Sequence, residues 1–374
     1  MKVKFGMATK ICFISGVIAR AGGTERVGCI IANALASRGY DVEILSFWNH
    51  GEPFYSVDKN VKVNYLLEPK TEGKLYRTYI YPIIKLHRYI KKNQIDIVID
   101  IDTKLSQYTS YAICGTNCRQ IAWEHFNYWT MEKQGDRRWF QAKKLIKKYA
   151  SKLVVLTEQD RLKHIKEYNL DPEFVIAMPN PSLANVKSDY DYTNKTFLAV
   201  GRLAWEKRFD LLLDAWKIAQ EKCLGWKLII VGTGELEDEL KAQTDKNKLS
   251  NVIFAGHSNE MDKYYREASC LVLSSEYEGF PMVILEAFSF GLPAIAFNCK
   301  TGPSDLIIEG ENGYLVEAGN VDELAAKMVT FSLNKSMADQ MSNSALQSIK
   351  EYSLDSITSR WCDVIDEIIE KSRR

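Results

Sequence analysis

Glu276-Tyr277-Glu278-Gly279-Phe280-Pro281-Met282-Val283-Ile284-Leu285-Glu286-Ala287-Phe288 is the stretch on which the reading of this chain turns. Residues 270–275, just before it, are apolar and β-prone, which suits a buried strand. Gly279 lets the backbone turn close to a ligand. Pro281 suits the first helical position, where a missing N–H costs nothing. Gly291 and Pro293 stop that helix, and residues 294–297 begin another strand. The stretch is therefore a strand–loop–helix unit with carboxylates at its loop end. Glu278 lies in the loop, and Glu286 about one and a half turns into the helix. Between them, the amides of the helix start point outward toward an oxygen-rich ligand.

The same grammar extends through the second half. Strands are expected at 196–200, 226–231, 252–255 and 313–316, with helices at 209–223, 234–249 and 260–268 and helices onward to the end. Gly201-Arg202-Leu203-Ala204-Trp205-Glu206-Lys207-Arg208 follows the first of these strands directly. The first half repeats the pattern. A strand at 10–16 leads into Gly22-Gly23-Thr24-Glu25-Arg26 and a helix to about Ser37, with Thr24 or Gly23 as its cap. Further strands are expected at 40–47, 95–101, 120–123, 152–156 and 175–177, and a helix at 158–168. Alternating strands and helices of this kind predict doubly wound α/β domains. The dinucleotide fingerprint is absent, because the glycine spacing is wrong. We expect two Rossmann-like domains, 1–185 and 186–374, with a polar linker at 179–194. Tandem domains of this type place a ligand cleft at their strand ends, so they are expected to face each other across it.

Composition bounds the class. With 374 residues, 46% apolar and 26% charged, the chain has ample length for packed cores and no disorder signature. Net charge is +1, but residues 1–185 carry about +10 and the remainder about −9, which points the first half toward an anionic partner. The basic residues concentrate in two helical stretches, 75–92 and 131–152, beside Trp139, Phe140 and Tyr149. Those fit an anionic membrane surface or a lipid diphosphate; solvated helix faces are the plain alternative. No nucleic-acid motif accompanies the charge. Eight cysteines show no metal spacing and read as reduced cytosolic thiols. Residues 11–19 superficially mimic a signal peptide, but cleavage there deletes the first strand. No apolar run has the length of a membrane span.

Two glutamates eight apart around a Gly-Phe-Pro turn resemble the donor-site signature of retaining glycosyltransferases of the two-Rossmann (GT-B) type, family 4. The resemblance implies that Glu278 touches the donor sugar, that Glu286 holds the ribose hydroxyls, and that the loop N–H groups of Gly279, Phe280, Met282 and Val283, around Pro281, meet sugar hydroxyls. Arg202 and Lys207 resemble that family's diphosphate clamp. A departing diphosphate gains charge, which an arginine fork and a lysine point charge stabilise in place of a divalent metal. Arg208 stands where the family usually has glycine. Gly22 and Gly23 resemble its first loop, across the cleft from the donor. Gly302, after the next strand, stands where amides approach the diphosphate, and His257 beside the base. His125, in Glu124-His125, falls where the family has a histidine at the floor of the site, in either a chemical or a structural role. The resemblance also implies a final helix, about 355–370, that crosses back to the first domain.

The expected activity is transfer of a hexose or N-acetylhexosamine from a UDP-sugar to a polyprenyl-diphosphate-linked saccharide, forming an α-linkage in O-antigen-like surface polysaccharide synthesis. It needs no cofactor and no metal, and its expected place is the inner face of the cell membrane. The alternatives are a UDP-sugar epimerase on the same fold and a non-catalytic nucleotide-sugar-binding protein. A further rival is a metal-dependent single-Rossmann transferase using Asp100-Ile101-Asp102. A carboxylate-nucleophile scheme for Glu278 is a fourth. The plain alternatives are a helix cap for Glu278 and solvated charges for Glu286, Arg202 and Lys207.

Overall fold

The computed structural model describes residues 8–68, 79–182 and 190–373. The chain divides into two compact units: Met1–Pro179 with Leu354–Arg374, and Asn180–Ser353. The expected boundary at 185/186 lies outside the described residues, as do residues 75–78 of the first basic stretch.

In the first unit seven strands form one parallel sheet: β1 (Lys10–Ser15), β2 (Asp41–Trp48), β3 (Lys62–Leu67), β4 (Ile97–Asp100), β5 (Arg119–Trp123), β6 (Lys152–Val155) and β7 (Val175–Ala177). Their order is β3-β2-β1-β4-β5-β6-β7. The central strands are buried along their length, as a sheet covered on both faces requires. The helix Leu354–Arg373 packs on this unit: Tyr40 donates to Asp366 (2.9 Å), Arg360 to the Ala177 carbonyl (2.6 Å), and Trp361 sits edge-on against Trp123. The last helix thus returns to the first domain, as the resemblance implied.

The second unit has six parallel strands: β8 (Thr196–Val200), β9 (Lys227–Val231), β10 (Val252–Gly256), β11 (Cys270–Leu273), β12 (Ala294–Phe297) and β13 (Gly313–Val316). The order β10-β9-β8-β11-β12-β13 repeats the winding of the first sheet. The order reverses between β8 and β11, and that is where doubly wound sheets open a crevice at their carboxyl ends. The strands are sealed by an apolar cluster that includes Phe197, Trp216, Trp226, Phe297 and Phe331, so the loops beyond the strand ends rest on a packed base.

Several expectations need correction. Residues 131–152 form two helices, Tyr128–Gln134 and Arg137–Tyr149, because Gly135 adopts a left-handed φ of 64° and Asp136 caps the second. Trp139 is buried, so it is unavailable to a membrane interface. The helix expected from Gly234 begins at Glu237. The residue capping Gly23–Ser37 is Gly22, with no side-chain cap, and Thr24 lies inside the first turn. Strand β3 and the helix Ser106–Ala112 were not anticipated.

Candidate functional site

The loops that leave β8 and β11 stand at the reversal point of the second sheet. The β8 loop starts at Gly201 and passes through a short 3-10 turn, Trp205–Lys207, before the helix Phe209–Ala219. Its shape is set by glycines on the neighbouring loop. Gly232 has φ 142°, and a Cβ there would lie 1.9 Å from the Gly201 carbonyl oxygen, so the β9 loop packs backbone to backbone against it. The β11 loop runs through Glu278 to the helix Met282–Ser289, with Pro281 just before its first residue. Gly302, after β12, has φ 105°, and a Cβ would meet Pro281 at 2.4 Å. That close approach is why glycine stands there.

These loops bring together the side chains singled out from sequence. Lys207 Nζ lies 2.7 Å from Glu278 Oε1, and Ser275 Oγ donates to the same oxygen at 2.6 Å. Ser274 Oγ donates to the Lys207 carbonyl (2.9 Å), which fixes the lysine backbone as well. Glu278 is buried; the Glu278 carbonyl accepts from the Thr301 amide at 3.0 Å. Arg202 is 65% exposed and pairs with Glu206 at 2.8 Å, so it stands at the mouth and is able to swing. Glu286, on the helix Met282–Ser289, accepts from Tyr265 at 2.7 Å. Phe280 is buried, while Met282 and Val283 are half-buried at the helix start. His257 follows β10, is exposed and contacts Asn259 Oδ1 at 3.2 Å. A lysine ammonium with three donors has one on Glu278 and can direct others to an anion. The arrangement is thus an ion pair between the two loops, an exposed arginine on the β8 loop, and a second carboxylate on the helix that follows Glu278.

Ser275 and Tyr265 were missed in the sequence. Ser275 reads as the end of a strand, and Tyr265 lies 21 positions from Glu286, with no local pattern to join them. Arg208 has a left-handed φ of 48°, which accounts physically for glycine being the easier residue at this position.

In the first unit, Gly22 and Gly23 form the start of the helix after β1, and Arg26 N–H bonds the Gly22 carbonyl at 3.0 Å. His125 lies two residues past β5 and is half-buried; its Nε2 is sealed from solvent with no hydrogen-bond partner among the described residues. Burial pushes its pKa down to about 4, against a small upward pull from Glu124. Glu124 Oε2 takes donors from Thr103, Trp139 and Lys143, each at 2.6 Å, and Oε1 accepts the Phe126 amide at 3.0 Å. Burial alone would raise its pKa, but Lys143 and these donors outweigh it and hold the group at about 2.

Asp100 is buried and taken up by side-chain donors. Ser106, Thr109 and Gln120 donate to its oxygens at 2.6, 2.7 and 2.6 Å, and burial pushes its pKa up to about 6. Asp102 caps a turn through the Lys104 amide. Among the described residues, no cluster of three or more histidine, cysteine or carboxylate groups has the disposition to hold a metal ion. Nor is any helix among them long and apolar enough to cross a membrane. A cavity of about 490 Å³ in the first unit is lined by Arg119 and Ser151 at the starting ends of β5 and β6, the opposite strand ends from His125.

Residues 185–348 match the family model described as glycosyl transferases group 1, and residues 21–181 match that of glycosyltransferase family 4. An uncharacterized glycosyltransferase of Haemophilus influenzae is 33% identical over 95% of this chain and 99% of its own length. The amylovoran biosynthesis glycosyltransferase AmsD of Erwinia amylovora is 30% identical over 96% and 99%. A Campylobacter jejuni α-1,4-N-acetyl-D-galactosaminyltransferase, named for a diNAcBac-PP-undecaprenol-linked substrate, is 26% identical over 96% and 99%. Among solved structures, the lipopolysaccharide outer core galactosyltransferase WaaB superposes with TM-score 0.77 at 22% identity, over 96% of this chain and 99% of that one. HepE of Anabaena, in complex with UDP, gives 0.78 at 18%, over 96% and 100%. At these identities the structural likeness is one of fold.

Proposed function

Because the chain belongs to the family 4, group 1 glycosyltransferases, we propose that it is a retaining enzyme. It moves a hexose or N-acetylhexosamine from a UDP-sugar to a polyprenyl-diphosphate-linked saccharide. The observation that carries this reading is the junction of Lys207 with Glu278 at 2.7 Å at the reversal point of the second sheet, with Arg202 on the same loop as Lys207. A diphosphate seated there meets Arg202 and the remaining donors of Lys207. Its sugar meets Glu278 and the loop amides, and its ribose meets Glu286. The bond between the anomeric carbon and the distal phosphate oxygen breaks, and the acceptor hydroxyl oxygen bonds that carbon on the same face. The hydroxyl proton passes to the departing phosphate, and the growing charge falls on Arg202 and Lys207. These two cations do the work a divalent metal does elsewhere, so the reaction needs none. In the first unit, His125, neutral at pH 7, and Gly22 and Gly23 are assigned to the acceptor.

The relatives named above supply the substrate classes: UDP bound by HepE, and a polyprenyl diphosphate named for the Campylobacter enzyme. Supporting the lipid side, the helix Tyr81–Asn93 exposes Tyr81 and Ile84 on the same stripe as Lys85 and Arg88, and Ile80 just ahead of it is exposed too. The helix Arg137–Tyr149 exposes Arg137, Arg138, Lys144 and Lys148. Apolar side chains among cations suit an anionic inner membrane face. The deciding experiment offers a panel of UDP-sugars with a polyprenyl-diphosphate-linked saccharide and reads products by mass spectrometry and NMR. An α-linked product is expected. A β-linked product from a UDP-α-sugar overturns retention. Sugar conversion without acceptor identifies an epimerase, and nucleotide binding without turnover a binding protein.

A further inference from the structure

We infer that Tyr265 is a positioning residue for the nucleotide site: it holds the Glu286 carboxylate in the orientation that selects a ribose with both hydroxyls. The inference rests on the reading above that Glu286 faces the ribose.

The geometry begins with the ring. Tyr265 lies on the helix Met261–Arg266 and is 3% exposed. Its ring stacks on Phe290 with centroids 5.4 Å apart and planes 19° from parallel. Phe290 directly follows the helix that carries Glu286, and the Arg266 guanidinium lies 5.7 Å from the same ring. Packed in this way, the phenol has one available position, and its hydroxyl meets Glu286 Oε2 at 2.7 Å. Glu286 itself is only half-buried. A glutamate on a helix surface ordinarily samples several rotamers, and holding one of them has an entropic cost. A hydrogen bond from a locked phenol removes that cost before any ligand arrives. It also fixes the plane of the carboxylate, and a ribose diol, two hydroxyls on adjacent carbons, discriminates by that plane. Supporting groups that orient a binding side chain act in this way at metal centres and designed sites.

The consequence is one of specificity. Oriented, Glu286 accepts from both ribose hydroxyls. A nucleotide lacking them desolvates the carboxylate without supplying those two hydrogen bonds, and that loss is larger than the hydrogen bonds alone. Without the Tyr265 hydroxyl, Glu286 swings, the ribose contact weakens, and the preference for a ribose narrows.

Tyr265→Phe tests this, because it keeps the ring and its stacking on Phe290 and deletes one oxygen. Titration calorimetry measures UDP and 2′,3′-dideoxyuridine diphosphate on the intact wild-type protein, Tyr265→Phe, Glu286→Ala and the double variant. Tyr265→Phe is expected to weaken UDP about tenfold and the dideoxy nucleotide less than about twofold. The double variant is expected to bind UDP no worse than Glu286→Ala, since the hydroxyl acts only through the carboxylate. With a competent acceptor, donor KM rises while kcat holds. If Tyr265→Phe weakens both nucleotides alike, or weakens neither while Glu286→Ala weakens UDP, the positioning role is wrong. If Glu286→Ala leaves UDP binding unchanged, or the wild type does not bind UDP, it is the ribose reading beneath it that fails.

Discussion

Lys207 Nζ and Glu278 Oε1 meet at 2.7 Å across 71 positions of sequence. Each neutralises the other in the protein without ligand, and Ser275 adds a third member. On the proposed mechanism Lys207→Ala removes a cation from beside the departing phosphate, and it leaves a buried carboxylate with less compensation. Turnover is expected to fall about 10²- to 10³-fold, the usual effect of deleting one such charge-stabilising group. Glu278→Ala is expected to lower turnover comparably by losing the sugar contact. Both variants should melt within a few degrees of wild type. Wild-type rates in both would move the site elsewhere.

Arg208 ties the same two loops together from outside. Its guanidinium grips Asp210 at 2.9 Å and lies 3.5 Å from Glu276, whose amide donates to the Glu206 carbonyl at 2.9 Å. The arginine accepts a left-handed backbone to do so, at roughly 1 kcal/mol. Arg208→Gly releases that strain and loses half-exposed ion pairs of similar size, so stability should change by less than about 1 kcal/mol. The β11 loop, no longer tethered, should lower kcat/KM about three- to tenfold. Urea unfolding beside steady-state kinetics separates the two effects, and unchanged kinetics would remove Arg208 from the argument.

How much of this was legible beforehand depends on distance along the chain. The Gly-Phe-Pro turn, the strand before it and the glutamates flanking it are local patterns, and the strand at Thr196–Val200 and helix at Glu158–Tyr168 appear where the sequence puts them. Lys62–Leu67 was missed because an edge strand carries Lys62 and Asn64 among its apolar residues and looks like a loop. The helix Ser106–Ala112 was missed because its buried face is polar: Ser106 and Thr109 serve Asp100, and Ser110 bonds Gln120. Lys143 read as one more charge on a basic face, yet it is buried against Glu124. For the polar helix and for Lys143, a partner outside the element overrides the local signal.

The Asp100 knot gives a prediction opposite to the metal reading. Three donors converge on this carboxylate, so Asp100→Ala leaves Ser106, Thr109 and Gln120 without it. The expected loss of stability is about 3 kcal/mol, read by urea denaturation. Asp102→Asn should keep near-normal activity, and wild-type enzyme should keep full activity in excess EDTA. Inactivation by EDTA that is reversed by a divalent cation would restore the metal-dependent rival.

Acid should weaken the first unit in two steps. Unfolded, His125 takes its proton near 6.5; folded, it resists until about 4, chiefly through burial. Between those values the unfolded chain binds more protons, so this stability is present above pH 6.5 and is lost as pH falls through about 4. Glu124 follows lower down, because its folded value of about 2 lies below the 4.5 of an ordinary glutamate. Its share is present above 4.5 and disappears as pH falls toward 2. His125→Gln should therefore flatten the stability curve between pH 6.5 and 4 and leave the lower step in place. Lys143→Met should cost about 3–5 kcal/mol at pH 7 by stranding a buried carboxylate, and should shrink or invert the Glu124 step, because burial then pushes that carboxyl up. Urea titrations of the three proteins at pH 7, 5.5, 4 and 3 measure all of this. An unchanged slope in His125→Gln would show that the histidine does not titrate in that window.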